Sequence, residues 1–283
     1  MNQGTLQSEF TLCGVGIHTG TEGRITVCPA EPNAGRVFVV NGATIPARAD
    51  YVVDTQRCTT LGHNGERVST VEHLLSALFA CGVDNARIVM EGREIPILDG
   101  SALPFVEVIL AAGVCEQSVL AREFTLESEL SFTDRDCVMR VIPSAEYTLE
   151  VTTTFPQWEE GRALRAFRFS ESVGDEYIAQ VALARTFAFD YEVRWLLEQG
   201  LAKGGSLDNA LVITPPESFS TPLRIEAEWC RHKILDLIGD LALLDCRPKM
   251  SVSAICPGHR NNVNLAQHLL KQMSADNRGS VYG

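Results

Sequence analysis

Hydrophobic side chains recur with the period of an α-helix in several segments of the chain. Val71, Leu74 and Leu78 lie at the spacing of one helical face, so the pattern predicts a helix from Ser69 to Cys81. The same period predicts five further helices, at Pro104–Ala112, Asp175–Ala184, Asp190–Gln199, Glu226–Leu244 and Asn262–Met273.

Short segments rich in Val, Ile, Thr and Phe predict strands between these helices. They lie at Arg24–Cys28, Arg36–Val40, Ala86–Glu91, Phe124–Phe132, Cys137–Ile142, Tyr147–Phe155, Ala210–Ile213 and Ser251–Cys256. In each half of the chain strands come first and helices follow, which predicts an α+β fold. We place the boundary near residues 115–122, giving domains 1–118 and 119–283. The shared order suggests distant duplication, although no sequence repeat supports it.

Composition and charge narrow the class of protein. At 45 % hydrophobic and 21 % charged residues, the 283-residue chain has the composition of a globular protein. Its net charge of −12 argues against an extended nucleic-acid surface, but a small phosphorylated ligand needs only a few local cations. No segment reaches the roughly 18 apolar residues of a membrane span, and the N-terminus does not match a signal peptide.

The nine cysteines include no C-x-x-C pair and are odd in number, which favours reduced thiols and a cytoplasmic location. Cys58 could act as a lone nucleophile, although a free cysteine is more often packed in an apolar interior.

Polar residues recur every four positions in the predicted helix Glu226–Leu244. His232, Asp236 and Asp240 therefore project from one helical face, and the first two can bind one cation together. The competing interpretation is a solvated stripe in which His232 and Asp236 form an ordinary surface pair worth a few tenths of a kcal/mol.

A third candidate ligand, His73, lies beside Glu72 at the start of another predicted helix. Two His and one Asp with an open coordination position are typical of a hydrolytic zinc site, and Fe²⁺ is also compatible with them. Glu72 can serve as a general base near the metal, or close a capping box with Ser69. His259, next to Gly258, is expected in an irregular loop.

Seven motifs occur together and in order along the chain: Gly14-Val15-Gly16-Ile17-His18-Thr19-Gly20, Ser69-Thr70-Val71-Glu72-His73-Leu74, Ile95-Pro96-Ile97-Leu98-Asp99-Gly100-Ser101, Ala184-Arg185-Thr186-Phe187, Arg231-His232-Lys233-Ile234-Leu235-Asp236, Ile238-Gly239-Asp240-Leu241 and Gly258-His259. In this combination the chain strongly resembles the UDP-3-O-acyl-N-acetylglucosamine deacetylases, zinc amidases that catalyse the committed step of lipid A biosynthesis. The resemblance covers roughly residues 4–270.

The resemblance implies a role for each matched residue. His73, His232 and Asp236 would bind zinc, and Glu72 would act as general base. His259 would be the acid or electrostatic partner, oriented by Asp240. Thr186 would donate a hydrogen bond to the developing oxyanion, and Lys233 would lie beside the charged part of the substrate. Further substrate contacts would come from Phe187 and from the insert that follows it, at Val193, Gly205 and Ser206, although Tyr191-Glu192-Val193 differs from other family members.

The resemblance also implies an architecture and a substrate. Each domain would be a two-layer α/β sandwich, with the helices of the two domains face to face and the site between them. An insert at about 188–214 would form the passage for the acyl chain of a UDP-linked glucosamine, although its apolar residues could equally be core packing. We expect a monomer that binds no nucleic acid. A different zinc amidase or peptidase, and a non-enzymatic binding module, remain alternatives.

Overall fold

The computed structural model describes residues 1–153, 162–169, 176–214 and 218–279. It is a mixed α and β fold, consistent with the predicted α+β class. Its α-helices are α1 (Glu72–Ala80), α2 (Leu103–Ala112), α3 (Asp190–Glu198), α4 (Glu228–Leu241) and α5 (His259–Gly279). No helix in this described part of the chain is both long and apolar enough to cross a lipid bilayer.

The strands are short and occur in both halves of the chain. In chain order they are β1 (Asn2–Leu6), β2 (Phe10–Val15), β3 (Glu22–Pro29), β4 (Arg36–Val40), β5 (Ala43–Pro46), β6 (Val52–Asp54), β7 (Thr60–His63), β8 (Glu66–Val68), β9 (Ala86–Glu91), β10 (Val114–Leu120), β11 (Glu123–Thr125), β12 (Leu130–Asp134), β13 (Cys137–Pro143), β14 (Tyr147–Thr153), β15 (Arg162–Phe169), β16 (Phe187–Phe189), β17 (Leu211–Thr214), β18 (Ser218–Phe219) and β19 (Arg247–Ile255).

The two large sheets have the same topology. The strand orders are β2-β3-β9-β4-β5 and β12-β13-β19-β14-β15, and β11 extends the second sheet beside β19. The central strand of each sheet is parallel to one neighbour, β4 or β14, and antiparallel to the other. Each half thus contains two hairpins, a helix, the central strand and a last helix. This repeated order supports the distant duplication that the order of strands and helices in the sequence suggested.

Each half also carries a small three-stranded sheet at the same point in this order. Strands β6, β7 and β8 lie between the second hairpin and α1, and strands β16, β17 and β18 lie between the second hairpin and α4. The segments leading into α1 and α4 are therefore both built from inserted strands.

In the strands of the two large sheets, buried apolar side chains alternate with more exposed ones. In β4, Phe38 and Val40 are buried, and in β19 Met250 and Val252 are buried, because successive side chains of a strand point to opposite faces. The buried side chains of both sheets and of the helices form one continuous hydrophobic core.

Helices α1 and α4 pack against each other with their backbones unusually close. A Cβ atom placed on Gly239 would overlap the carbonyl oxygen of Glu72, so glycine is required at this crossing. Both helices are buried almost all round, which explains why α4 carries Ile234, Leu235 and Ile238 on more than one face.

The sequence located the five α-helices and nine of the nineteen strands in the described residues. The strands that it did not predict are β1, β2, β5, β6, β7, β8, β10, β15, β16 and β18. The predicted elements differ most from the structure at four points. The predicted strand Phe124–Phe132 is two strands, β11 and β12, separated by a break. Helix α5 begins at His259 instead of Asn262, and α4 ends in a 3₁₀ turn at Ala242–Leu244. The predicted helix near residue 180 is a π-helical turn at Ile178–Ala182; its expected start, Asp175, lies outside the described residues, as does Phe155.

The close crossing of α1 and α4 makes Gly239→Ala a sensitive test of the fold. Alanine favours a helix over glycine by about 1 kcal/mol, but the added methyl group must push the backbone of α1 away. We expect a net loss of about 1–3 kcal/mol in the free energy of unfolding, measured by denaturant titration. Gly258→Ala is the matched control, because its Cβ would meet nothing within 4 Å. Unchanged or increased stability in Gly239→Ala would contradict the packing described here.

Candidate active site

The predicted ligands converge where α1 meets α4. His73 is the second residue of α1, and His232 and Asp236 lie one turn apart in α4. Nε2 of His232 is 3.3 Å and Nε2 of His73 is 4.0 Å from Oδ1 of Asp236. All three side chains are buried, so the surface-stripe interpretation of His232 and Asp236 is wrong.

The donor atoms of these three residues fit a divalent cation. One ligand atom from each lies within 4.8 Å of the others. Oδ1 of Asp236 is buried with no hydrogen-bond partner among the described residues, which is costly for a carboxylate oxygen unless a cation faces it. Nδ1 of His232 lies 3.0 Å from the carbonyl oxygen of Ala184 and donates to it, so the lone pair of Nε2 points towards Asp236.

The protonation states of the ligands also suit metal binding. Burial, reinforced by His232, lowers the pKa of His73 to about 3, and burial lowers the pKa of His232 as well. Burial alone would raise the pKa of Asp236, but Lys233 and the neighbouring imidazoles hold it well below its usual range. Neutral imidazoles and an ionised carboxylate are the forms that bind a metal.

Glu72, the first residue of α1, is a buried carboxylate beside these ligands. Its Oε2 accepts a hydrogen bond of 3.0 Å from the backbone N–H of Thr59. The capping-box interpretation is wrong, because the N–H of Ser69 donates to the carbonyl of Arg93 and the helix has no side-chain cap. Burial raises the pKa of Glu72 to about 8, in spite of the opposing charge of His259.

His259 lies opposite Glu72, at the start of α5 and not in the loop expected from the sequence. Its Nε2 is 3.8 Å from Oε1 of Glu72 and 4.0 Å from Oδ2 of Asp236. Its Nδ1 donates to Oδ2 of Asp240 at 3.0 Å. Burial alone would lower the pKa of His259, but the carboxylates of Asp240, Asp236 and Glu72 together raise it to about 9.

A cavity of about 590 Å³ is lined by Glu72, the three candidate ligands and His259. Thr186 and Lys233 line it as well, and Nζ of Lys233 bonds Oδ2 of Asp236 at 2.9 Å. Its apolar lining comes from β16, α3, the following loop and β17, namely Phe187, Ala188, Val193, Leu196, Leu197, Leu207 and Val212. Gly205 and Ser206 line the exposed rim.

The sequence of this chain matches one family model almost from end to end. The model for UDP-3-O-acyl N-acetylglycosamine deacetylase covers residues 3–271. The chain belongs to this deacetylase family. The family predicted from the seven motifs is thereby confirmed.

Individual relatives agree with the family model. The chain is 38 % identical over 274 residues to the UDP-3-O-acyl-N-acetylglucosamine deacetylase of Nautilia profundicola, covering 96 % of this chain and 93 % of the relative. It is 40 % identical over 283 residues to that of Saccharophagus degradans, covering 97 % and 92 %. For the protein of that name from Nostoc sp., the identity is 37 % over 276 residues, covering 95 % and 99 %.

The apolar residues predicted in the insert divide into two groups in this deacetylase. Phe189 and Leu196 are buried, with 3 % and 6 % of their surface exposed, and therefore belong at least partly to the core. Val193 is intermediate and Leu197 about half-exposed, and both line the cavity, while Trp195 is about half-exposed and does not line it. Core packing thus accounts for Phe189 and Leu196, and the cavity wall for Val193 and Leu197.

Three neighbours of the site were not predicted. Thr59 contacts both Glu72 and Asp240, and Asn262 donates to Oδ2 of Asp240 at 2.9 Å. Arg57, from the insert before α1, reaches Glu192 of α3 at 2.9 Å across the cavity wall. No sequence pattern identifies these three residues, because each is a single polar residue that only the fold brings near the site.

Cys58 does not support the alternative of a cysteine nucleophile. Its side chain is buried, and burial, with the nearby charge of Glu72, raises the pKa of the thiol to about 12. A thiol with so high a pKa is protonated near neutral pH and is a poor nucleophile.

Removing any one of the three candidate ligands should abolish stoichiometric metal binding. We expect His73→Ala, His232→Ala and Asp236→Ala each to lose the single bound ion, because two remaining ligands leave the cation incompletely coordinated. Elemental analysis after gel filtration measures the metal content per chain. His268→Ala is the control, because this histidine is exposed on α5. Full metal content in all three ligand variants would exclude this site.

Proposed function

We propose that this chain hydrolyses the acetamide of UDP-3-O-acyl-N-acetylglucosamine, releasing acetate and the free amine in the committed step of lipid A biosynthesis. The observation that carries the proposal is the convergence of His73, His232 and Asp236 beside Glu72 and His259, in a cavity that also has an extensive apolar lining. Membership of the deacetylase family supports the same reaction.

We assign His73, His232 and Asp236 as ligands of Zn²⁺, with Fe²⁺ also compatible with two imidazoles and a carboxylate. When bound there, the cation supplies Lewis acidity, which lowers the pKa of a water ligand towards about 7 and polarises an amide carbonyl. Lys233 balances the charge of Asp236 through its bond to Oδ2, so Oδ1 remains available to the cation.

Glu72 is the general base in this proposal. Burial makes its carboxylate a stronger base than an ordinary glutamate, and a nearby cation would oppose part of this effect. The backbone N–H of Thr59 donates a hydrogen bond to Oε2 of Glu72. Oε1 is therefore the carboxylate oxygen that faces His259. Glu72 takes a proton from the attacking water at this oxygen.

His259 acts as a cation beside the developing oxyanion, and Thr186 donates a hydrogen bond to it. Asp240 accepts from Nδ1 and orients the ring, so Nε2 is the nitrogen presented to the substrate. The departing amine receives its proton from Glu72 or from His259, both of which line the cavity.

The substrate also needs sites for its charged and apolar ends. We propose that Lys233 lies beside the charged nucleotide portion, and that Phe187, Val193, Gly205 and Ser206 contact the acyl chain. The apolar lining of the cavity between β16, α3 and β17 supports this assignment, which corresponds to an insert at about 188–214.

Further parts of the proposal concern the whole molecule. Residues 1–118 and 119–283 would form two domains, each a two-layer α/β sandwich, with their helices facing across the site. The repeated strand order and the packing of α1 on α4 support this division. We also propose a cytoplasmic monomer that binds no nucleic acid, on the grounds of its cysteine pattern, its net charge of −12 and a site made within one chain.

Acetate release from the UDP-linked acylated substrate tests the reaction. We expect a chelator to abolish the release and added Zn²⁺ to restore it. Glu72→Gln should lower kcat on the order of 10²–10⁴-fold with the metal retained, because the amide cannot accept the proton. Glu107→Gln, on the exposed face of α2, is the control. Equal turnover of N-acetylated peptides would favour a different amidase, and activity indifferent to the chelator would refute the metal-dependent mechanism.

The acyl passage is tested by filling it. Val193→Phe adds bulk to the apolar lining of the cavity, so kcat/KM for long acyl chains should fall by at least about tenfold relative to short ones, a loss expected from overpacking. The comparison uses substrates that differ only in acyl length. Val138→Phe, at a half-exposed position of β13, is the control. Unchanged chain-length selectivity would exclude Val193 from the passage.

A further inference from the structure

Thr59 is the one described residue that hydrogen-bonds to both Glu72 and Asp240. We propose that it is a positioning residue that holds the general base and the carboxylate behind His259 in their working orientations. The proposal rests on the proposed function, in which Glu72 and His259 carry out the proton chemistry.

Thr59 comes from neither of the two helices that it connects. It precedes β7 in the inserted sheet of the first half and is completely buried. Its backbone N–H donates to Oε2 of Glu72 at 3.0 Å, and its carbonyl oxygen accepts from the N–H of Val71 at 3.3 Å. The main chain of Thr59 is thus fastened to the beginning of α1.

The hydroxyl group of Thr59 reaches the other helix. Oγ1 donates to Oδ1 of Asp240 at 2.5 Å, while His259 and Asn262 donate to Oδ2. Asp240 is completely buried, and its two oxygens accept these three hydrogen bonds. The carboxylate therefore cannot rotate without breaking a bond to Thr59, to His259 or to Asn262.

Removal of the hydroxyl would leave Oδ1 of Asp240 buried without its donor. A carboxylate in that position gains by turning towards the remaining donors, and any turn moves the acceptor on which Nδ1 of His259 depends. The ring of His259 would then lose its fixed direction towards Glu72, 3.8 Å away. The bond from the Thr59 N–H to Glu72 does not involve the side chain, so a side-chain substitution isolates the effect of the hydroxyl.

Thr59→Val and Thr59→Ser separate the hydroxyl from the shape of the side chain. We expect Thr59→Val to lower kcat on the order of ten- to a hundredfold, with KM within about threefold of wild type and one metal ion per chain. Thr59→Ser keeps the hydroxyl and should restore kcat to within about threefold. Thr60→Val is the matched control, because the Thr60 hydroxyl is also buried but donates to Ser69.

A double-mutant cycle tests whether Thr59 acts through Asp240. In an Asp240→Asn background, adding Thr59→Val should change kcat by less than about threefold, because the carboxylate that Thr59 orients is already lost. Fully multiplicative losses would overturn the proposal. If Thr59→Val does not fold, Thr59→Ala also removes the hydroxyl group. An alanine variant as active as Thr59→Ser would likewise overturn the positioning role of Thr59.

The role of Thr59 can also be tested without measuring activity, by NMR of His259. Failure of this role can then be told apart from failure of the proposed reaction. The Nδ1–H proton of His259 should give a downfield NMR resonance, assigned by its loss in His259→Gln. We expect this resonance to persist in Thr59→Ser and to shift or broaden in Thr59→Val. If wild type released no acetate while the resonance responded in this way, the proposed reaction would fail and the role of Thr59 would stand. An unchanged resonance in Thr59→Val would overturn the role.

Discussion

The contact between the backbones of α1 and α4 is the constraint on which the site depends. Because Gly239 has no side chain, its turn of α4 lies directly against the carbonyl of Glu72. Asp236 and Asp240 flank Gly239 in the sequence, and His73 follows Glu72, so one crossing point brings the ligands and the base together. The separation of the two helices is set by main-chain atoms. This separation therefore depends less on the identity of the surrounding apolar side chains.

Burial at this crossing affects the pKa of Glu72, Asp236 and His259. The net direction of the shift differs from group to group, because the neighbouring charges differ. Burial and the charges of Asp240 and Asp236 raise the pKa of Glu72, against the opposing effects of His259 and a backbone hydrogen bond. Asp236 is close to Lys233 and to the imidazoles of His232, His259 and His73, so its pKa falls in spite of burial. His259 faces three carboxylates and keeps its proton. Carboxyl groups with opposite shifts in one cavity are typical of sites that use one as a base and another as a fixed charge.

The sequence predicted what depends on local spacing and on motifs. The period of apolar residues located α1, α2, α3 and α4, and the four-residue spacing in α4 identified two candidate ligands. It could not show that this polar stripe is buried, because burial depends on the approach of α1. The capping-box pattern at Ser69 was misleading for the same reason: tertiary contacts with Arg93 and Thr59 replaced the local bonds. Thr59 gave no signal, since its role arises from contacts between residues distant in sequence.

The repeated strand order has a consequence for how the molecule is made. During synthesis the first half leaves the ribosome before the second, and N-terminal units generally fold first. Helix α1 is buried largely by contacts that include α4, which is synthesised much later. An early-folded first half would therefore hold Glu72 and His73 at an uncovered surface, facing no partner. The first half supplies Glu72 and His73, and the second supplies His232, Asp236 and His259, so the site is complete only when both halves are folded and in contact.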